Sequence, residues 1–286
     1  MTEGLPVPLQ VVRHISVGRE PRARPTMRPP PPSRPGWLVA EVAGHPCEIH
    51  APADPLSGRA MIYLHGVRER WIQELPVLRD LVEAARLPVI APRAGRSWWL
   101  DRLVPGFDPA VTAERYVVGP VVAEVARRFG VSPPGIAVVG TSMGGQGALR
   151  LAYRHPALFP VAAAISPAID FHTAMREAHE RTDGELYDTL WQIYDDVERA
   201  RQDTAILHVH PLNWPRHQLF ACDPADTHWH DGAVRLQSKL VALGIPHVAL
   251  LEPRGGGHSQ EYYDKVSPDV MRFVLERLDQ ESRRLA

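Results

Sequence analysis

The chain has 286 residues, of which 44% are hydrophobic and 23% charged, with a formal net charge of -1. That composition fits a soluble globular protein with a sizeable core, and the near-zero charge excludes a strong field for nucleic acid or anionic membranes. No apolar run is long enough to span a bilayer, and the N-terminus shows no signal-peptide core, so a cytoplasmic protein is expected.

Residues 18–36, GREPRARPTMRPPPPSRPG, hold seven prolines and five arginines. Proline removes backbone donors and favours extended geometry. Residues 1–36 therefore read as an N-terminal arm or linker, with a docking peptide for a proline-binding module as the functional alternative. Residues 1–17 either add a strand or stay irregular. From Trp37 onward the pattern becomes regular. WLVAEVAG and HPCEIHAP alternate and meet at Gly44, which predicts two antiparallel strands. AMIYLHG (60–66) is nearly all apolar, as expected of a strand buried on both faces. Helix is predicted over 71–86, strand over 87–92, and helix over 113–129 with Val117, Val121, Val125 and Phe129 on one face.

The third buried strand is GIAVVGTS (135–142), followed by helix MGGQGALRLAYRH and strand VAAAISP. The alternation pauses over 168–216, where Leu186, Leu190, Ile193, Tyr194 and Val197 recur at helical spacing. This region reads as a lid-like insertion, or else as a long packed crossover. HQLFACDP then predicts a strand, 231–243 a helix, HVALLEP the last strand, and 261–278 a final helix. Strands alternating with helices imply an α/β fold with a mostly parallel central sheet. The domain spans residues 37–286. Of the two cysteines, Cys47 and Cys222, the second sits in an apolar run and reads as buried. Two cysteines do not make a disulfide scaffold.

Gly140-Thr141-Ser142-Met143-Gly144 lies at a predicted strand-to-helix junction. A sharp turn there exposes the Ser142 hydroxyl above the sheet, and small neighbours permit the close packing. The Met143 N–H opens the helix and points where an oxyanion would form. A serine nucleophile needs a base. His258 follows three glycines after the last strand, in the chain position such a base occupies. An acid is needed to orient the imidazole. CDPADTHWHD offers three: Asp226 leads, Asp223 follows, and Asp231 is better placed to cap the next helix. The Gly66 turn makes the Val67 N–H a second oxyanion donor. His65 either shapes that loop or lines the pocket.

Taken together, YLHGVRERW, RAGRSWWLDR, VVGTSMGGQGALRLAYRHPALF and GGGHSQEYYDKVSPDVMRFV resemble the putative-esterase group of the α/β-hydrolase superfamily. That group includes esterase D-type and mycolyltransferase-type members, and the resemblance runs over roughly residues 37–280. It implies an α/β-hydrolase fold, an oxyanion N–H at Val67, and a loop near the active site formed by Ser97, Trp98 and Trp99. These two indoles would offer apolar surface to a substrate, or else pack as core. The chain departs from the group at Asp223, where relatives more often carry glycine. The N-terminal arm and the 168–216 insertion are also distinctive, so substrate specificity does not carry over.

The leading expectation is hydrolysis of a small-molecule carboxylic ester through an acyl-enzyme, with Ser142, Asp226 and His258 as triad. No cofactor, nucleic acid or membrane is expected, and self-association is left open. The same machinery could serve an acyltransferase or, less readily, a peptidase. HVH (208–210) and HWH (228–230) raise a metal-dependent hydrolase, but their spacing matches no trusted ligand pattern, and no metal is expected. Without a metal, His228 and His230 would line the rim near the acid. A non-catalytic module would normally lack a triad member.

Overall fold

The computed structural model describes residues 28–284. The expectation for residues 1–17, and most of the Pro/Arg arm, lie outside the described residues. The described end of the arm lies along the domain surface. Trp71 Nε1 donates to the Pro29 carbonyl at 2.7 Å, and Arg34 pairs with Glu83 at 2.7 Å.

Eight strands form one sheet: β1 (Trp37–Val42), β2 (His45–His50), β3 (Ala60–Leu64), β4 (Val89–Pro92), β5 (Ile136–Thr141), β6 (Val161–Ile165), β7 (His217–Ala221) and β8 (Val248–Leu250). Their order is β1-β2-β4-β3-β5-β6-β7-β8. β1 and β2 are antiparallel, β2 joins β4 antiparallel, and every later pairing is parallel. The β1–β2 hairpin turns on Ala43 and Gly44, both at positive φ (48° and 83°), the backbone that a two-residue hairpin of matching twist requires.

Side chains alternate across the sheet with the strand period of two. Met61, Tyr63, Ala137 and Val139 face α1 (Pro76–Ala84) and the last helix, Gln260–Arg283. Ile62, Leu64, Ile136 and Val138 face the other way. There they meet α2 (Ala113–Tyr116), α3 (Val122–Phe129), α4 (Met143–Arg154), the insertion, and helix His230–Ala242. The parallel strands are buried on both faces, which is why they read as continuous apolar runs.

Several boundaries differ from expectation for identifiable reasons. The 71–86 segment splits into a 3-10 turn, Ile72–Glu74, and α1, which begins at Pro76. The buried Glu48 carboxylate accepts from the Ile72 and Gln73 amides at 2.7 and 3.1 Å, satisfying donors that a helix start leaves free. The helix expected over 113–129 contains a π-turn, Val117–Val121. Pro120 lacks an N–H and cannot continue the ordinary ladder, so the wider turn absorbs it. Val117, Val121 and Val125 are buried as expected, while Phe129 is half-buried.

The insertion is a chain of short pieces: α5 (Phe171–Glu177), α6 (Asp188–Ile193), α7 (Val197–Gln202) and two 3-10 turns, Gly184–Tyr187 and Ala205–His208. The helical spacing read across 186–197 is broken at Tyr194, which is extended, and Asp196 caps α7 through the Arg199 amide at 2.8 Å. Helix α8 (His230–Ala242) is preceded by Trp229 at its cap position, so Asp231 is not the cap. It sits exposed in the first turn, where a carboxylate faces the positive end of the helix dipole. The final helix, α9 (Gln260–Arg283), runs five residues past the expected end. Cys47 and Cys222 are both buried and free. Among the described residues no helix is long and apolar enough to cross a membrane.

One buried ionic network fixes the insertion to the sheet's helices. Arg150 of α4 is 1% exposed and reaches Glu114 on α2 and Asp203 after α7, the latter at 2.6 Å. Asp203 also accepts from the Tyr194 hydroxyl at 2.9 Å and lies 3.1 Å from Arg102. Burial pushes the Glu114 carboxyl up, but His155, Arg150 and Arg154 outweigh it and hold it down at about 2. Removing Arg150 takes the most deeply buried counter-charge from both carboxylates and leaves them only their more exposed partners. Arg150→Leu should therefore lower the unfolding free energy by about 3–5 kcal/mol in equilibrium urea denaturation. A loss under about 1 kcal/mol, the scale of a surface pair, would contradict this reading.

Candidate active site

The C-terminal ends of the parallel strands gather the sequence-predicted residues at one edge of the sheet, where α/β folds place their sites. Ser142 follows β5 with φ 56° and ψ -119°, a left-handed backbone that a residue with a Cβ rarely adopts. The surroundings enforce it. The Ser142 N–H donates to Ile165 O at 2.9 Å, and its carbonyl accepts from Gln146 and Ala168 at 3.1 and 3.0 Å. The turn also demands a bare Cα at Gly144, where a Cβ would lie 1.9 Å from the Leu64 carbonyl oxygen. Helix α4 can thus begin tight against β3, with the serine side chain aimed at the cleft.

His258 meets Ser142 and Asp226 through opposite ring nitrogens. Nε2 lies 3.0 Å from Ser142 Oγ, and Nδ1 lies 2.7 Å from Asp226 Oδ2. A carboxylate only accepts, so Nδ1 carries the proton and Nε2 offers its lone pair to the serine hydroxyl. Asp226 is 2% exposed and His258 stands partly open above it. The Tyr263 hydroxyl lies 3.1 Å from the same Nε2. Burial pushes this phenol far up, so it remains a protonated donor beside the serine.

Asp223 does something else. Its Oδ1 accepts from the Ala225 amide at 2.8 Å, and its Oδ2 accepts from Gly255 and Gly257 at 2.6 and 2.9 Å. It ties the end of β7 to the glycine loop that delivers His258. That loop needs φ of +85° and +74° at Gly256 and Gly257. Burial pushes the Asp223 carboxyl up, but the three backbone donors outweigh it and hold it below the ordinary carboxylate range.

The turn after β3 abuts the serine: a Cβ at Gly66 would lie 3.2 Å from Ser142 Cβ. Val67 follows at the cleft wall. Neither the Val67 nor the Met143 N–H donates to another described residue's backbone, which leaves both free to meet an anion. His65 does not line the cleft. Its Nε2 accepts from the Ala94 amide at 3.2 Å, so the proton sits on Nδ1 and is donated to Gly66 O at 2.9 Å. Burial, with the nearby Arg93 charge, pushes this imidazole down to about 3 and keeps it neutral. Its work is to shape the turn.

The substrate-facing expectation for Ser97, Trp98 and Trp99 is corrected by their burial. All three are at most 1% exposed and none lines the cleft. Trp99 Nε1 donates to His65 O at 3.1 Å, and Ser97 Oγ accepts from the Trp99 amide at 3.3 Å. The Trp98 ring packs against Phe171 and Tyr187 at 5.4 and 5.9 Å between centroids. These residues support the cleft from one layer behind.

The cleft itself encloses about 350 Å³. Ser142, His258 and Tyr263 lie along it, and Leu186, Tyr187 and Trp229 give it an apolar side. Two of those three come from the insertion. Arg68, Arg70 and Arg181 also reach it. No local motif marks these arginines, Tyr187 or Tyr263 in the sequence, and Trp229 lies there only as the spacer of HWH. His228 lines the cleft and accepts from Arg181 at 2.9 Å, whereas His230 does not line it. His208 lies 3.2 Å from Asp203, and His210 accepts from the Leu212 amide at 3.1 Å, so the HVH pair is engaged locally. Among the described residues no group of three or more His, Cys, Asp or Glu side chains is placed to hold a metal ion.

The Asp223 contacts have a measurable consequence. Its folded pKa is depressed, so its stabilisation is present above the ordinary aspartate pKa and is lost as pH falls through the folded value. Asp223→Asn should cost about 1–3 kcal/mol at neutral pH, because one acceptor becomes a donor facing buried N–H groups. The deficit should shrink in urea titrations toward pH 3, within the range in which an aspartate titrates. A deficit independent of pH would contradict this assignment.

A comparison with curated proteins finds no match. Solved structures share the fold. S-formylglutathione hydrolase from Agrobacterium tumefaciens aligns with a TM-score of 0.66 at 17% identity, over 85% of this chain and 94% of that one. MPT51 from Mycobacterium tuberculosis aligns at 0.59 and 14% identity, over 83% and 98%. FphF, a fluorophosphonate-binding serine hydrolase of Staphylococcus aureus, aligns at 0.57 and 16% identity, over 83% and 97%. The model of the family described as "Putative esterase" matches residues 49–230, more than half of the chain. The strained serine turn, the mostly parallel sheet and this match agree: the chain belongs to the putative esterase family of α/β-hydrolases, as a hydrolase of the serine carboxylesterase type.

Proposed function

We propose that Ser142, His258 and Asp226 form a catalytic triad that cleaves a carboxylic ester through an acyl-enzyme intermediate. The observation that carries the reading is the single imidazole lying 3.0 Å from Ser142 Oγ and 2.7 Å from Asp226 Oδ2 through its two nitrogens. Ser142 Oγ attacks the acyl carbon while Nε2 takes the hydroxyl proton. Asp226 keeps the Nδ1 proton in place and stabilises the imidazolium that forms. The carbonyl oxygen, now an anion, accepts from the Val67 and Met143 amides. Nε2 then gives its proton to the leaving alcohol oxygen as the C–O bond breaks. A water molecule repeats the sequence on the acyl-enzyme, and the acid departs with Ser142 restored.

Residues 168–216 act in this reading as one wall of the cleft, through Leu186 and Tyr187. The Tyr187 ring packs on Trp98 and Trp229, and Trp229 packs in turn toward His258, which ties the wall to the base. A relative of the same fold is described as fluorophosphonate-binding, and such probes report an activated serine.

A fluorophosphonate probe should label the wild-type protein at one site. Ser142→Ala should abolish the labelling and lower kcat/KM on 4-nitrophenyl butyrate by at least ~10³-fold. Persistent labelling of that variant would move the nucleophile elsewhere.

A further inference from the structure

The charge lining the cleft is unbalanced. Arg68 and Arg70 stand on the turn after β3, directly following Val67, and Arg181 comes from the insertion. Each carboxylate near them is already committed. Asp183, which also lines the cleft, pairs with Arg181 at 2.9 Å. Glu69 lies between the two arginines, but its backbone is at φ 51° and its carboxylate faces Arg93 at 3.4 Å. The Glu74 carboxylate is held by Arg28 and by the Trp71 amide at 2.8 Å. Asp264 accepts from the Gln260 side-chain nitrogen Nε2 at 2.6 Å.

Arg70 is left with neutral partners. It donates to the Gln260 side-chain oxygen and to the Glu74 carbonyl. Arg68 has no hydrogen bond or ion pair among the described residues. His228 uses Nδ1 to accept from Arg181, so it adds no positive charge there. Two arginines therefore line the cleft that holds Ser142 without a carboxylate partner among the described residues. A guanidinium presents a planar fork of donors that fits a carboxylate or phosphate, and a partly enclosed cleft strengthens that attraction.

We propose that the ester cleaved here carries an anionic group, held by Arg68 and Arg70 beside the reacting carbonyl while its apolar part lies against Leu186, Tyr187 and Trp229. The proposal rests on the reading of Ser142 as nucleophile and adds the class of substrate to it. It separates these arginines from the oxyanion donors. The amides of Val67 and Met143 serve any ester, whereas Arg68 and Arg70 select among esters.

The test compares esters that differ only in charge. 3-Carboxyphenyl butyrate and 3-phosphonooxyphenyl butyrate are set against neutral 3-carbamoylphenyl butyrate, and mono-4-nitrophenyl adipate against its methyl ester. The two charged phenyl esters place the anion on the alcohol side, as carboxylate or as phosphate, and the mono-adipate places it on the acyl side. At low salt, kcat/KM of at least one anionic member should exceed that of its neutral partner by about tenfold. The ratio should fall toward one in the Arg68→Gln/Arg70→Gln protein. It should also fall in the wild type as salt rises to about 0.5 M, since screening weakens such contacts, and this arm needs no variant. Equal turnover of charged and neutral members in every set would overturn the proposal and leave the hydrolase reading intact. No turnover of any of them would overturn both.

Discussion

The site depends on one backbone constraint: a serine held at φ 56° and ψ -119° between a buried strand and a helix. No side chain prefers that geometry, so its neighbours must impose it. Hydrogen bonds from both sides pin the Ser142 amide and carbonyl, and the bare Cα of Gly144 lets α4 start against the Leu64 carbonyl. Everything else converges on the hydroxyl so presented. β3 ends in the turn that carries Val67, the loop after β7 carries Asp226, and the loop after β8 brings His258 over the sheet edge.

The two aspartates after β7 divide the work of holding the imidazole. Asp226 meets the ring itself, and Asp223 meets the loop that carries the ring. His65 plays a comparable part on the opposite side, fixing the turn before Val67 while staying neutral. In the proposed mechanism these supports hold the base 3.0 Å from the nucleophile and 2.7 Å from the acid before any substrate arrives. The arginines of the same cleft are arranged differently. Their neighbours' carboxylates are turned to other partners, which leaves Arg68 and Arg70 without a carboxylate of their own.

Much of this was legible along the chain. Continuous apolar runs revealed the parallel strands because burial on both faces removes the polar alternation. The serine turn was legible because strand, small residues and helix lie within a dozen positions. The choice between Asp223 and Asp226 was not decidable there, since both follow the strand within one turn and only the direction of each carboxylate separates them. Trp98 and Trp99 were read toward the substrate from their place near the site, yet long-range packing on His65, Phe171 and Tyr187 buries them. The spacing over 186–197 suggested one helix. Asp196 instead starts a new one after the extended Tyr194. The charge of the cleft was invisible for a similar reason, because its arginines come from segments over a hundred residues apart.

The covalent intermediate is the central claim, and it can be observed directly. Wild-type protein mixed with 4-nitrophenyl butyrate and quenched in acid within one turnover should gain the mass of one butyryl group. Peptide mapping should place that group on Ser142, and the Ser142→Ala protein should carry none. A butyryl group on any other residue, or hydrolysis at full rate with no acylated protein at any quench time, would contradict the account.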